Sequence, residues 1–374
     1  MFIRFITIML ITFFLICPFT WASCYKIGLL GQFKRPFKGS TSQPFGIEIQ
    51  RGVSLALDEY RQANANICFR TISYDINNTI SNIPDIIKHA IEKENVHLFI
   101  GLGNSDEALM AANSLKSKKG ILMTPTASLD ELSQVGNRLI TLYPKNSIIA
   151  KRMAFDSYRN GARKVLIIYG QNNKYSSNIA QNFEKDFTNL GGSIVYKISV
   201  RTSDVLLDKE LINLKNKNYT HIFIPLFETD VAKIVSFLNS HNINKKLIGS
   251  DSWGTYSTII NSMTNNISYE VLLPLIYSSD LLNTTNKRFV KEYKKQFKSL
   301  PSDLAAFCYD GMFIYFKMAK ICGMKKLLSE PETCASRITP INTTTGLITS
   351  FNKLNLNRPI TTRLLVDKND NNRK

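Results

Sequence analysis

"VHLFIGLGNSDEALMAANSLKSKKGILMTPTASLDELS" (Val96–Ser133) carries one pattern twice. An apolar run, "VHLFIG", ends in a small polar turn and passes into the helix-like "DEALMAANSL"; about twenty residues later "GILMTPTASLDELS" repeats the order. Short runs that are apolar on both faces, separated by helical spacing, describe strands of a parallel sheet covered on both sides. In such a sheet the strand-to-helix turns gather at the carboxyl edge, where helix N-termini present free N–H groups and small ligands settle. Ser105 is placed to cap the first helix, and Thr126 and Ser128 lie in the second turn. Simple capping accounts for either turn alone. Two hydroxyl-rich turns on consecutive strands point to a shared anion-gripping edge.

Outward from this stretch the alternation continues. "YKIGLLG", a helix through Ile49, Val53, Ala56, Leu57 and Tyr60, the strand "CFRTISYD" and the helix "IPDIIKHAIEKEN" precede it. A second series opens near Ser147: a helix to Tyr158, "KVLIIYG", a helix stopped by Gly191-Gly192, "SIVYKISV", "LLDKELINLK", "HIFIPLF", "VAKIVSFLN" and "KKLIGS". Two such series predict an α/β fold of two Rossmann-like lobes with parallel sheets. "EVLLPLIYSS" and the helices around Phe289 and along "LAAFCYDGMFIYFKMAKI" read as layers returning to the first lobe, and "TGLITSFNKLNLNR" as a hairpin-like pair.

The chain has 374 residues, 44% of them hydrophobic, and a formal net charge of +18. That length predicts more than one core. The lysines are scattered along helices such as "RFVKEYKKQF", with no aromatic-interleaved basic block, so no nucleic-acid partner is expected. Residues 1–23 have the layout of a secretory signal peptide: Arg4, an apolar run from Phe5 to Ile16, Pro18, and small residues at Ala22 and Ser23. Cys24 then has two readings. "WASC" partly matches a lipoprotein box, which would tether an exported chain by its first residue. Alternatively Cys24 pairs with Cys68, since both begin strands that would lie side by side, and Cys322 with Cys334, leaving Cys308 as a buried thiol.

Catalytic chemistry is missing from the sequence. His89, His97, His221 and His241 form no metal-spaced cluster, and "GSDSWG" is not a hydrolase elbow. "GLGNSD" begins like a dinucleotide fingerprint, but Asp106 stands where the third glycine belongs. No enzyme activity, metal or cofactor is expected.

The order "KIGLLG…RGVSLALDEY…YD…VHLFIG…S…ILMTPTAS…ELS", continued by "KVLIIYGQNNKYSSNIA", "LIGSDSWG" and "FCYDGMFIYFKMA", is similar to the type 1 periplasmic binding proteins, and within them to those for branched-chain and related amino acids. The resemblance implies two lobes joined by three crossovers and closing on a ligand by hinge motion. It implies lobe 1 at residues 24–145 plus 274–328, lobe 2 at 146–273 plus 329–366, and a disordered tail at 367–374. It implies that Ser105, Thr126 and Ser128 receive an α-carboxylate, that Tyr175 packs over the ligand, that Phe227 lines the pocket and that Asp251 pairs with an ammonium. Against these stand plainer roles: Tyr175 as a helix-start aromatic, Phe227 as core, Asp251 as a turn cap. The basic loop with Lys34, Arg35 and Lys38 departs from the family and would favour an acidic ligand if it faced the cleft; solvated side chains are the other reading. The implied function is solute delivery, as a monomer, to the membrane permease of an ABC transporter. The alternative is a ligand-poor regulatory or scaffolding protein of the cell envelope with the same fold.

Overall fold

The computed structural model describes residues 24–365 apart from 35–43, 64–65, 78, 202–214, 216, 254–269, 353 and 357–360. The leader, the tail, Arg35, Lys38 and most of the helix expected at "LLDKELINLK" lie outside the described residues.

The first sheet has the order β13-β14-β5-β4-β3-β1-β2, with β1 Tyr25–Gly31, β2 Phe69–Asp75, β3 Leu98–Gly101, β4 Ile121–Thr124, β5 Leu139–Thr141, β13 Phe351–Asn352 and β14 Asn355–Leu356. Its helices are α1 Phe45–Gln62, α2 Ile83–Glu94 and α3 Ser105–Leu115. In the second sheet the order is β15-β10-β9-β8-β6-β7, from β6 Lys164–Gly170, β7 Ser193–Val200, β8 His221–Phe223, β9 Lys246–Ile248, β10 Val271–Leu275 and β15 Thr361–Leu365. It carries α4 Asn146–Arg159, α5 Lys174–Asn189 and α6 Glu228–Ser240. Five consecutive strands form a parallel core in each sheet, extended in the first by β14 parallel to β5, and each core runs second-first-third-fourth-fifth in chain order. That is a doubly wound order, whose direction reverses between β1 and β3 in one lobe and between β6 and β8 in the other. Ligand crevices form at the carboxyl ends of strands at such reversals.

The chain then returns to the first lobe through α7 Thr284–Phe297 and α8 Asp303–Ser329, and continues through α9 Pro331–Arg337 and the hairpin β11 Ile341–Thr343 with β12 Gly346–Ile348. Strand pairing moves the expected lobe boundaries. Val271–Leu275 pairs wholly within the second sheet, so residue 274 is no boundary. β14 pairs with β5, so the chain is still in the first lobe at Leu356, whereas β15 pairs with β10 of the second sheet. Two-residue strands leave no periodicity for sequence reading to find.

Buried side chains run without interruption from the first sheet through Tyr143 and Phe307, whose rings meet at 5.1 Å, into Ile149, Val165 and Phe183 of the second lobe. The hinge side is further fixed by Asp310. Its carboxylate, 2% exposed, accepts from the N–H and hydroxyl of Thr344 (2.8 and 2.9 Å) and of Thr345 (3.1 and 2.6 Å), tying α8 to the hairpin that follows. Cys24 is bonded to Cys68, joining the starts of β1 and β2; Cys322 is bonded to Cys334, joining α8 to α9; Cys308 is free and buried.

Candidate functional site

The first-lobe edge is built from the turns after β3 and β4. Gly101 has φ 136°, and a Cβ there would sit 2.0 Å from the Leu30 carbonyl oxygen, so only glycine fits. Leu102 follows in the left-handed region at φ 59°, a strained conformation for a branched side chain. The neighbouring turn holds it in place: Thr124 Oγ1 donates to the Leu102 carbonyl at 2.7 Å, and Thr126 Oγ1 to that of Gly103 at 3.3 Å. Ser105 Oγ reaches back and accepts the N–H groups of Ser128 (3.2 Å) and Leu129 (3.3 Å). The hydroxyls of the two turns therefore bond each turn to the other.

Two expectations change here. Asn104, not Ser105, caps α3: its side chain accepts from Asp106 N–H at 2.9 Å. Ser105 is the first helical residue, which turns its hydroxyl toward the next loop. The second turn leads into a five-residue 3₁₀ turn, Asp130–Gln134, and the chain turns away at Gly136, φ 109°, with no α-helix formed. One α-helix N-terminus stands at this edge, beside a loop shaped by it. Ser128 is 3% exposed and, among the described residues, its hydroxyl has no hydrogen-bond partner.

The second-lobe wall comes from the carboxyl ends of the adjacent strands β6, β8 and β9. Asn173 caps α5 by accepting from Ser176 N–H, which sets Tyr175 on the inward face of the first turn. The Tyr175 ring lies 5.6 Å from that of Phe227, stacked at 26°, and its hydroxyl donates to Asp251 Oδ1 at 2.7 Å. Phe227 is the N-cap residue of α6, and Asp251 opens the 3₁₀ turn Asp251–Trp253, anchored by Trp253 Nε1 donating to the Ile224 carbonyl at 2.7 Å. Burial pushes the Asp251 carboxyl up to about 6; the Tyr175 hydrogen bond opposes the rise, and the charge of Asp303 adds to it. Burial also raises the Tyr175 phenol well above its ordinary value.

The two sides are linked where the chain first crosses. Asn146 N–H donates to the Ser128 carbonyl at 2.7 Å, and Asn146 Nδ2 donates to the Tyr175 carbonyl at 3.3 Å and to Asn178 Oδ1 at 3.0 Å. Alongside, Lys174 of the second lobe meets Glu131 of the first at 3.4 Å, and Asn182 donates to Asp130 at 3.1 Å. Ser105, Thr126 and Ser128 thus form one group, Tyr175, Phe227 and Asp251 another, and Asn146 connects them.

Sequence reading missed Asn146 and Asp303. An Asn at a helix start and an Asp after "PS" are ordinary helix-entry residues, so neither carries a signal without the tertiary placement. Lys34 is exposed, with its N–H directed to Asp75. Among the described residues no group of three His, Cys, Asp or Glu is placed to hold a metal. No described helix is long and apolar enough to cross a membrane.

No curated protein matches the chain. Solved structures do. The branched-chain amino acid transporter substrate-binding protein LivJ of Streptococcus pneumoniae, in complex with isoleucine, superposes with a TM-score of 0.81 at 19% identity, covering 93% of this chain and 97% of its own. A leucine-binding protein LivK of Thermotoga maritima gives 0.79 at 19%, covering 92% and 99%. An ABC-transporter solute-binding protein of R. palustris in complex with benzoate gives 0.78 at 17%, covering 91% and 93%. At these identities the likeness is one of fold. The periplasmic binding protein family model matches residues 25–349, nearly all of the two lobes and both sides of the cleft, and the chain belongs to that family.

Proposed function

We propose that this protein is the exported solute-binding component of an ABC-type uptake system, a monomer that closes its lobes on an amino acid-like solute and presents it to a membrane permease. The observation that carries this reading is the convergence of Tyr175, Phe227 and Asp251, from three adjacent strands, opposite a turn whose amides are fixed by Ser105. An ammonium would sit at Asp251 under the Tyr175 ring, and a carboxylate at the N–H groups and hydroxyls of Thr126 and Ser128. That the similar solved structures are solute-binding proteins supports a binding role over an enzymatic one. The relatives' isoleucine, leucine and benzoate are all small and carry a carboxylate.

The test is thermal unfolding of the mature protein, unfolded and refolded to strip bound solute, against amino acids, amines and aromatic acids. A ligand at 100 times its Kd stabilises by about 2.7 kcal/mol, a visible upward shift. A flat panel, together with cross-linking that captures an envelope enzyme rather than a permease, would overturn the transport reading in favour of the regulatory one. Removal of residues 1–23 on export, with Cys24 held by Cys68 rather than lipidated, predicts an intact mass for a chain starting at Cys24 with two disulfides and no acyl groups.

A further inference from the structure

The acids around the cleft differ in how they are compensated. Glu48 has Arg51 at 3.0 Å and accepts from Tyr293 and Ser302; Glu131 has Lys174. Two acids have no such partner among the described residues. Asp251, from the second lobe, receives the Tyr175 hydroxyl at 2.7 Å and its own backbone N–H, and no cation. Asp303, the first residue of α8 in the first lobe, receives the N–H of its neighbour Leu304 at 2.7 Å and its own backbone N–H, and no cation. The entry of α8 abuts the first-lobe turn: a Cβ on Gly103 would lie 3.6 Å from Leu304 Cδ1 and 2.5 Å from Thr126 Oγ1. The charge of Asp303 is felt at Asp251, and burial raises both carboxyls.

A second, independent feature points the same way. Asn146 is fully buried between Ser128 and Tyr175, and its Oδ1 has no hydrogen-bond partner. Its Nδ2 is committed to two acceptors, Tyr175 O and Asn178 Oδ1, so the amide cannot be turned to hide the orphan oxygen. The cleft thus presents two carboxylates without a cationic partner among the described residues and a buried acceptor without a donor.

Resting on the solute-binding reading above, we propose that the cleft selects a solute of net positive charge, a basic amino acid or an alkyl amine, whose cationic groups are shared between Asp251 and Asp303. A neutral amino acid has one ammonium and would leave one carboxylate desolvated and uncompensated on closure. An aromatic acid would add a third negative charge. The positive net charge of the whole chain does not decide this, because contacts within a desolvated cleft outweigh charges screened beyond about 10 Å.

Calorimetric titration of the stripped, full mature protein with L-arginine, putrescine, L-leucine and benzoate tests the proposal. Arginine or putrescine is expected to bind at least about 100-fold tighter than leucine, with no heat from benzoate. Asp303→Asn keeps the acceptor for Leu304 N–H and should leave unliganded melting unchanged or higher, while cutting cation affinity at least about tenfold and improving leucine. Asp303→Ser, which also retains a helix-entry oxygen, guards against misfolding of the first variant and is expected to behave alike. Arginine above putrescine would assign an amino acid with its carboxylate at the Ser128 turn; the reverse order would assign a polyamine. Leucine or benzoate binding as tightly as the cations, or a cation-to-leucine ratio unmoved in both variants, overturns this inference and leaves the binding reading intact. No binding by any probe, in a panel widened to other solutes, overturns both.

Discussion

Asp310 at the hinge and Asp251 in the cleft are both carboxylates drawn out of water, and their surroundings are opposite. Asp310 is met by four donors from two consecutive threonines, each within 3.1 Å. Asp251 is met by one side-chain donor, a tyrosine from another strand. A buried charge is tolerated when its lone pairs are filled, and is costly when they are not. The filled carboxylate therefore belongs to the architecture, and the open one is the acid that the proposed function assigns to the solute. The comparison separates structural from functional acids by hydrogen-bond supply rather than by burial.

The largest effect that would break this comparison is at the hinge. Asp310→Ala strands two backbone N–H groups and two hydroxyls inside the protein, and is expected to cost about 3–5 kcal/mol in urea unfolding. Asp251→Asn is expected to leave the empty protein as stable as before, or more so, since it removes an uncompensated charge. Ligand affinity in the same variant should fall by roughly 100-fold, or about 2.7 kcal/mol, the scale of a charge-assisted bond lost in a desolvated site. Equal stability losses in the two variants would show that Asp251 is structural too.

A smaller effect sharpens the contrast through pH. The Asp251 carboxyl titrates at about 6 when folded and near 3.8 in the unfolded chain. Between those values the folded protein holds a proton that the unfolded chain has released, so stability of the empty protein falls as pH rises from about 4 to about 6. The shift corresponds to at most about 3 kcal/mol. Glu107, pushed to about 7 by burial, adds a slope of the same sign, so the measurement is the difference between wild type and Asp251→Asn melting across that range. Affinity for an ammonium ligand should run the other way, rising with pH as Asp251 ionises. A wild-type slope that Asp251→Asn does not flatten would put the titration elsewhere.

The fold was legible because it depends on periodicity. "VHLFIG" and "GILMTP" are apolar on both faces and alternate with helical spacing, so parallel strands were read from residue type alone, although the second is followed by a 3₁₀ turn and not by the α-helix its pattern suggested. The site was legible only in part. Tyr175, Phe227 and Asp251 are far apart in sequence, and the family pattern grouped them before the structure did. Asn146 is set by contacts across the lobes and Asp303 by the entry of a helix distant in sequence, and no local spacing encodes either placement. The β13–β14 addition to the first sheet has two residues per strand, too few to express a period. Ser105 was read by type and not by direction: hydroxyls that cap helices and hydroxyls that brace a neighbouring loop are the same residues, and one position of offset decides between them.

That offset supplies the finest test. Ser105 Oγ holds two amides of the second turn, whereas the Ser128 hydroxyl has no protein partner among the described residues. Ser105→Ala would leave the Ser128 and Leu129 N–H groups without an acceptor inside the edge, and is expected to cost about 1–2 kcal/mol of stability in the empty protein. Ser128→Ala removes nothing that the empty fold uses, so its melting temperature should match wild type, with any loss confined to ligand affinity. Measured together, the pair divides the first-lobe edge as Asp310 and Asp251 divide the acids. A stable Ser105→Ala protein beside a destabilised Ser128→Ala one would reverse the roles, making Ser105 the residue left open for a ligand and Ser128 the brace.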